Sequence, residues 1–207
     1  MMRRFAVACG LAAILAGVTA CGAARPSMFY QMDIPESSAP ASAPRVQTDL
    51  LVGRMIAPHL YRDDRIVYRH GSTQLGTYEY HRWAEPPADT IENLLVRALR
   101  SSGNFRSVQS LRSNARGDYI LRGRLHELNE INGSASDVAA RVSFEVELYS
   151  QKSGTVVWSK SYSNDEPVNG KKVPDVVDAL NKNLQRGIAQ VVAGLADYFA
   201  KNPPPKE

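Results

Sequence analysis

AARVSFEVELY, residues 139–149, is the stretch whose reading decides the fold. Val142, Phe144, Val146 and Leu148 alternate with Arg141, Ser143, Glu145 and Glu147. A strict period of two, apolar on one side and charged on the other, is the pattern of an antiparallel strand with one buried face and one wet face. The flanking segments build on it. Ser150 to Gly154 reads as a turn, and Thr155 to Ser161, carrying Trp158, reads as the returning partner strand. Upstream, Tyr119 to Leu128 places Tyr119, Leu121 and Leu125 on one face and Arg122, Arg124 and His126 on the other. Downstream, Asn164 to Lys172 reads as a polar loop, and Pro174 suits the first turn of a long helix. Val177, Leu180, Leu184, Ile188, Val191, Val192, Leu195 and Phe199 form its apolar stripe, with polar residues on the other faces.

The first half of the chain reads as strands followed by one helix. Met28 to Ile34 is apolar enough for a short first strand, Pro35 to Pro44 is a Pro/Ser/Ala-rich exposed loop, and Val46 to Ala57 reads as a strand ending at Pro58. Arg65 to His70 and Leu75 to Trp83 flank Gly71 and Ser72 as a hairpin. Neither face of its second strand is clean, which suggests an edge or an interface. Asp89 opens a helix, with Glu92 at capping-box spacing. Ile91, Leu94, Leu95, Ala98 and Leu99 form its stripe, Gly103 terminates it, and Phe105 and Val108 pack back beneath it. The order strands, helix, strands, long helix predicts an α+β fold: a mostly antiparallel sheet with two amphipathic helices on one face. It forms a single domain over residues 28–200, followed by a disordered tail, 201–207.

The N-terminus speaks to location. Arg3 and Arg4 precede an uncharged apolar run, Phe5 to Val18, which is too short for a comfortable bilayer span. Residues 1–20 read as a signal peptide. Val18-Thr19-Ala20-Cys21 resembles the bacterial lipobox, with cleavage between Ala20 and Cys21 and lipid attachment at Cys21. The plainer alternative is an ordinary signal peptide that happens to end beside a cysteine. A lipidated Cys21 and a tether over residues 21–27 would anchor the domain by acyl chains without spanning the membrane. Gly22 stands where an aspartate would signal inner-membrane retention, so the expected location is the outer membrane, facing the periplasm.

Composition narrows the chemistry. Of 207 residues, 25 are basic and 21 acidic; loss of Arg3 and Arg4 leaves 23 against 21, a net charge of +2. No Lys/Arg stripe with interleaved aromatics appears, which argues against nucleic acid as a partner. Cys9 leaves with the signal and Cys21 carries the lipid, so the mature domain has no free thiol and no disulfide. No G-x-S-x-G elbow or phosphate-binding loop occurs. His126-Glu127-Leu128-Asn129-Glu130 misses the zinc motif at its fifth position and lies in a strand pattern. His59, His70 and His81 are scattered, and Asp63-Asp64 sits between Arg62 and Arg65 as a charged turn. No catalytic residue, metal site or cofactor is expected.

LYRDDRIVYRHGSTQLGTYEYHRWAEPPADTIENLLVRALRSSGNFRSV, residues 60–108, resembles the ABC-type transport auxiliary lipoprotein family. The match is carried by Arg65-Ile66-Val67-Tyr68-Arg69, by Arg82-Trp83-Ala84-Glu85-Pro86-Pro87, and by the helix exit from Leu99 to Val108. The lipobox and Phe29-Tyr30-Gln31-Met32 also fit. The resemblance implies a non-catalytic, outer-membrane-anchored subunit of an intermembrane lipid transport system. Its partners would be a mammalian-cell-entry (MCE) domain protein and an ABC transporter permease complex. The oligomeric state is left open, a homo-oligomeric ring being compatible with a symmetric MCE partner. Tyr80, Arg82, Trp83 and Pro86 are the candidate partner interface, Trp83 being either an interface anchor or a core plug. Two rival functions remain: a periplasmic lipid or small-molecule carrier with an apolar pocket between helices and sheet, and an envelope hydrolase without a recognisable motif.

Overall fold

The computed structural model describes residues 25–33, 46–112, 114–133 and 138–204. The signal segment, Cys21 and the Pro35 to Pro44 loop lie outside the described residues. Along the chain come β1 (Met28–Tyr30), β2 (Val46–Ile56), a 3-10 turn (His59–Tyr61), β3 (Arg65–His70), β4 (Gln74–Trp83) and α1 (Pro87–Ser101). They are followed by β5 (Phe105–Ser110), β6 (Tyr119–Asn132), β7 (Val138–Ser150), β8 (Thr155–Pro167) and α2 (Val173–Lys201).

β6 is the spine of the sheet. Along one edge it pairs antiparallel with β7, from Tyr119↔Ser150 to Asn132↔Val138. Two strands share its other edge end to end, both parallel to it. β2 takes the first half, from Leu50↔Tyr119 to Ile56↔Arg124. β3 takes the second, from Val67↔Asn129 to His70↔Asn132. β2 and β3 thus act as one interrupted strand, looped out between Ala57 and Asp64, and the bulge of β6 between Leu125 and Glu127 falls at the interruption. β5 flanks β2 in parallel, β4 flanks β3 antiparallel, and β8 flanks β7 antiparallel. β1 closes the far edge, parallel to β4.

The α+β class with two helices is as expected, but the sheet is mixed where a mostly antiparallel one was expected. Four of its pairings (β1–β4, β2–β5, β2–β6 and β3–β6) are parallel. Local periodicity reports which face of a strand is buried; it carries no information on which distant strand lies alongside, or in which direction.

Three boundaries also move. α1 begins at Pro87, with Pro86 as its N-cap and no side-chain cap bond, so the Asp89–Glu92 capping box is not formed. Proline at the first helical position brings its own fixed φ and lacks an N–H to satisfy. Asp89 falls within the first turn instead, and Glu92 is buried and paired with Arg112. β8 continues through Pro167, taking in the first part of the expected polar loop, because Asn164, Asp165 and Glu166 pair with Val142, Arg141 and Ala140 of β7. Lys201, the first residue of the expected tail, still belongs to α2 and pairs with Asp197.

Both helices pack on one face of the sheet, α1 over β2 and β5, α2 over β7 and β8. Ile91, Leu95 and Leu99 of α1 and Leu180, Leu184, Ile188, Val191 and Leu195 of α2 are fully buried. They meet Leu50 and Val52 of β2, Leu121 and Leu125 of β6, and Val142, Phe144, Val146 and Leu148 of β7 in one core cluster. Gly187 is what lets α2 approach so closely: a Cβ there would stand 2.8 Å from both Phe144 and Tyr162. At the end of α2, Phe199 meets Phe105, Tyr119 and Tyr198 edge-on at 5.6, 5.1 and 5.1 Å between centroids. Gly103, at φ 63°, ends α1 so that β5 can turn back beneath it.

Candidate partner-docking site

The segment that carried the partner-interface expectation forms a corner where β1, β4 and the start of α1 meet. The Trp83 backbone N–H donates to the Asp64 carbonyl (2.6 Å) and that of Ala84 to the Tyr30 carbonyl (2.7 Å). The Pro86 carbonyl accepts from the amides of Asp89 and Thr90, both at 3.1 Å, and from the Thr90 hydroxyl at 3.2 Å. The Pro-Pro turn is therefore a rigid joint between sheet and helix.

Trp83 points into the core and is 1% exposed. A side chain that deep offers no area to a partner, so of the four interface candidates it is withdrawn and becomes the plug of this corner. Tyr80, Arg82 and Pro86 are half-buried and keep some surface. Arg82 is engaged by Asp64 at 2.8 Å, and Asp63 lies 3.8 Å from Arg65, so the Asp63-Asp64 doublet is charge-paired. The Glu79 carboxylate raises the ionisation range of the Tyr80 phenol. Two shallow grooves flank the joint. One, of about 350 Å³, is lined by Tyr30, Met32, Trp83, Glu85 and Arg97. The other, of about 380 Å³, is lined by Arg54, Ile56, Arg62, Pro86 and Asp89.

Beside the corner lies a polar chain that sequence reading missed. The Tyr30 hydroxyl is 2.8 Å from His81 Nδ1, with the rings stacked. His81 meets the Tyr78 ring edge-on, and the Tyr78 hydroxyl donates to Glu130 Oε2 at 2.5 Å. Glu130 is buried, and burial together with that bond raises the Tyr78 phenol far above its usual range. One strand position away, the Tyr61 hydroxyl donates to Asn129 Oδ1 at 2.9 Å, and burial pushes Tyr61 up to about 12. Asn129 and Glu130 sit beyond the β6 bulge, where the inside-outside alternation read from Tyr119 to Leu128 shifts phase, which hid them.

The sheet face away from the helices is charged. A ladder runs across four strands: Arg69 bonds Glu127, Glu127 lies 3.5 Å from Arg141, and Arg141 grips both oxygens of Asp165 at 2.6 Å. Farther along the same face, Glu145 stands 3.5 Å from Arg124 and 3.6 Å from His126, so the first residue of the zinc-motif near miss lies beside a carboxylate of the neighbouring strand. Among the described residues no three His, Cys, Asp or Glu side chains gather in a metal-holding group.

A third groove, of about 870 Å³, lies at the far end against Val46, Tyr119, Phe199, Pro203 and Pro204. Its wall carries Arg106, which holds Asp49 at 2.6 and 3.1 Å; the Ser107 hydroxyl bonds the same carboxylate at 2.7 Å. None of these three grooves is enclosed between helices and sheet, where the carrier reading requires a pocket; Phe144, Leu184, Ile188 and Val191 fill that space.

Arg106 lowers the ionisation range of Asp49, and Arg141 lowers that of Asp165. A carboxylate with a depressed folded-state pKa contributes stability above its unfolded value, ~3.9, and that contribution is lost as pH falls through the lower folded value. Urea midpoints are therefore expected to fall with acid below about pH 4, and Asp49→Asn and Asp165→Asn to flatten that fall. Equal acid sensitivity in the variants would refute it.

A family model described as the ABC-type transport auxiliary lipoprotein component matches residues 30–192. No curated protein matches the chain. Among solved structures, a protein from Xanthomonas campestris is similar at 23% identity and a TM-score of 0.76, over 85% of this chain and 98% of its own. An uncharacterised protein is similar at 17% identity and a TM-score of 0.63, over 83% of this chain and 99% of its own. A hypothetical protein from Chlamydia trachomatis is similar at 9% identity and a TM-score of 0.50, over 74% and 98%. At these identities the likeness is one of fold.

Proposed function

The chain belongs to the ABC-type transport auxiliary lipoprotein component family, and from that premise we propose that it is a non-catalytic, outer-membrane-anchored periplasmic subunit of an intermembrane lipid transport system. It would hold its place through acyl chains on Cys21 and dock onto an MCE-domain protein and its ABC permease complex. The observation that carries this reading is the family match across residues 30–192, nearly all of the folded part. The filled core supports docking over carriage, since a carrier needs an apolar volume that can take up its cargo. The half-buried rim of the corner, Tyr80, Arg82 and Pro86, is the proposed contact, with the Pro-Pro joint holding it rigid.

Two experiments test the reading. Full-length protein purified from crosslinked native membranes should bring with it an MCE-domain protein and an ABC permease, identified by mass spectrometry. With bait recovery confirmed, their absence would reduce the reading to a shared fold. Separately, Cys21→Ala protein should fold with unchanged thermal stability, leave the membrane fraction, and fail to complement a deletion strain. Full rescue by the unanchored form would sink the tethering role.

A further inference from the structure

We propose that β1 is a second membrane contact: Met28 and Phe29 sit in the headgroup–acyl boundary of the membrane that holds Cys21. The inference rests on the lipid anchor proposed above and goes beyond it, because it fixes how the domain stands on that membrane.

Met28 is 55% and Phe29 63% exposed, neighbours on the first strand of the domain. As successive strand residues they leave opposite faces at the rim of the sheet, and large apolar side chains exposed there are costly in water and invite association. Their place in the chain says what covers them. Seven residue steps separate Cys21 from Met28. Even fully extended, that length reaches roughly 25 Å. The interfacial zone of a leaflet is itself about 5–8 Å deep. A lipidated Cys21 thus keeps Met28 and Phe29 near the bilayer surface. The other exposed large apolar side chains among the described residues, Ile56, Leu75 and Val156, lie on β2, β4 and β8 and do not follow the anchor.

β1 is also built to present these side chains firmly. It pairs in register with the end of β4, Met28 opposite His81 and Phe29 opposite Arg82. Tyr30 holds the strand through its stacking and hydrogen bond on His81. Among the described residues no strand lies outside β1, so its outer backbone groups need water or lipid headgroups as partners. The headgroup zone supplies these, whereas the hydrocarbon core does not. Arg25, exposed three residues before Met28, would lie against lipid phosphates. Aromatic and apolar side chains on an edge strand, with a basic neighbour, are the features of an interfacial segment.

The test uses the full-length, lipidated protein in vesicles of phosphatidylethanolamine and phosphatidylglycerol. Phe29→Cys and Met28→Cys each introduce one labelable thiol, because a lipidated Cys21 is blocked; Lys152→Cys, on the exposed β7–β8 turn, serves as reference. Each is labelled with an environment-sensitive fluorophore and titrated with lipid carrying a shallow quencher. The expected result is blue-shifted emission at 28 or 29, most of which the quencher removes, with water-like, unquenched emission at 152. Protein that floats with the vesicles while both probes stay water-like overturns the contact and leaves the anchor intact. Probes that respond only when an MCE-domain protein is added would make β1 a protein interface and also overturn it. Wild-type protein that neither carries acyl mass nor floats would overturn the anchor, and this contact with it.

Discussion

Asn183→Leu is expected to destabilise the fold by about 3–5 kcal/mol, since each buried polar group left without a partner costs ~1–3 kcal/mol. Asn183 is wholly buried in α2, between Leu180 and Leu184. Its Nδ2 donates to the Ala140 carbonyl of β7 and the Asn164 carbonyl of β8, both at 2.8 Å. Its Oδ1 accepts from the Tyr162 hydroxyl at 2.6 Å and from Asn164 Nδ2 at 3.2 Å. One amide thus ties α2 to the two strands beneath it, and leucine would satisfy none of these groups. Tyr162 retains its weaker bond to the Asn183 backbone carbonyl at 3.1 Å, so the loss is partial there. Urea unfolding should show a lower midpoint with an unchanged slope. Gln190→Leu, on the exposed side of the same helix, should stay within about 0.5 kcal/mol of wild type. Equal stability of the two variants would show that the network contributes nothing net.

Trp83→Ala is expected to cost about 3–5 kcal/mol, the range for truncating a large buried aromatic. Trp83 is among the largest fully buried side chains, and its backbone amide is held by Asp64, so the corner cannot collapse freely into the space left behind. Trp83→Phe keeps much of the volume and should cost less. The pair of variants also tests the core-plug role that the burial of Trp83 assigns it. A core plug lowers the urea midpoint of the isolated protein; an interface anchor would lower partner recovery while leaving that midpoint unchanged. Arg82→Ala should do the reverse. It is half-exposed and paired with Asp64, so it should cost less than ~1 kcal/mol of stability. If the corner docks the partner, it should also reduce recovery of the MCE-domain protein.

The elements that were legible in the sequence are those whose signal is local. β7 and the β3–β4 hairpin declared themselves by period two and by turn residues, and α2 by Pro174 and its stripe. The buried polar groups were not legible. Asn183 occupies a stripe position on α2, and periodicity alone treats a polar residue there as an interruption; its value becomes visible only once Ala140, Tyr162 and Asn164 are seen to converge on it. Glu130 and Asn129 were hidden by the β6 bulge, and Trp83 could be read two ways until its burial was known.

By itself the sequence determined the α+β class, the two helices with their buried stripes, the wet and dry faces of β7, and the family to which residues 30–192 belong. Each of these is written in neighbouring residues, because side chains in helices and strands repeat every few positions. Only the tertiary structure decided that the sheet is mixed, that β2 and β3 share one edge of β6, that α1 starts at Pro87, and that Trp83 faces inward. Those features depend on contacts between segments far apart in the chain. Their energies are set by the packing of the assembled core and by backbone groups finding distant partners, and no local pattern of residue types encodes them.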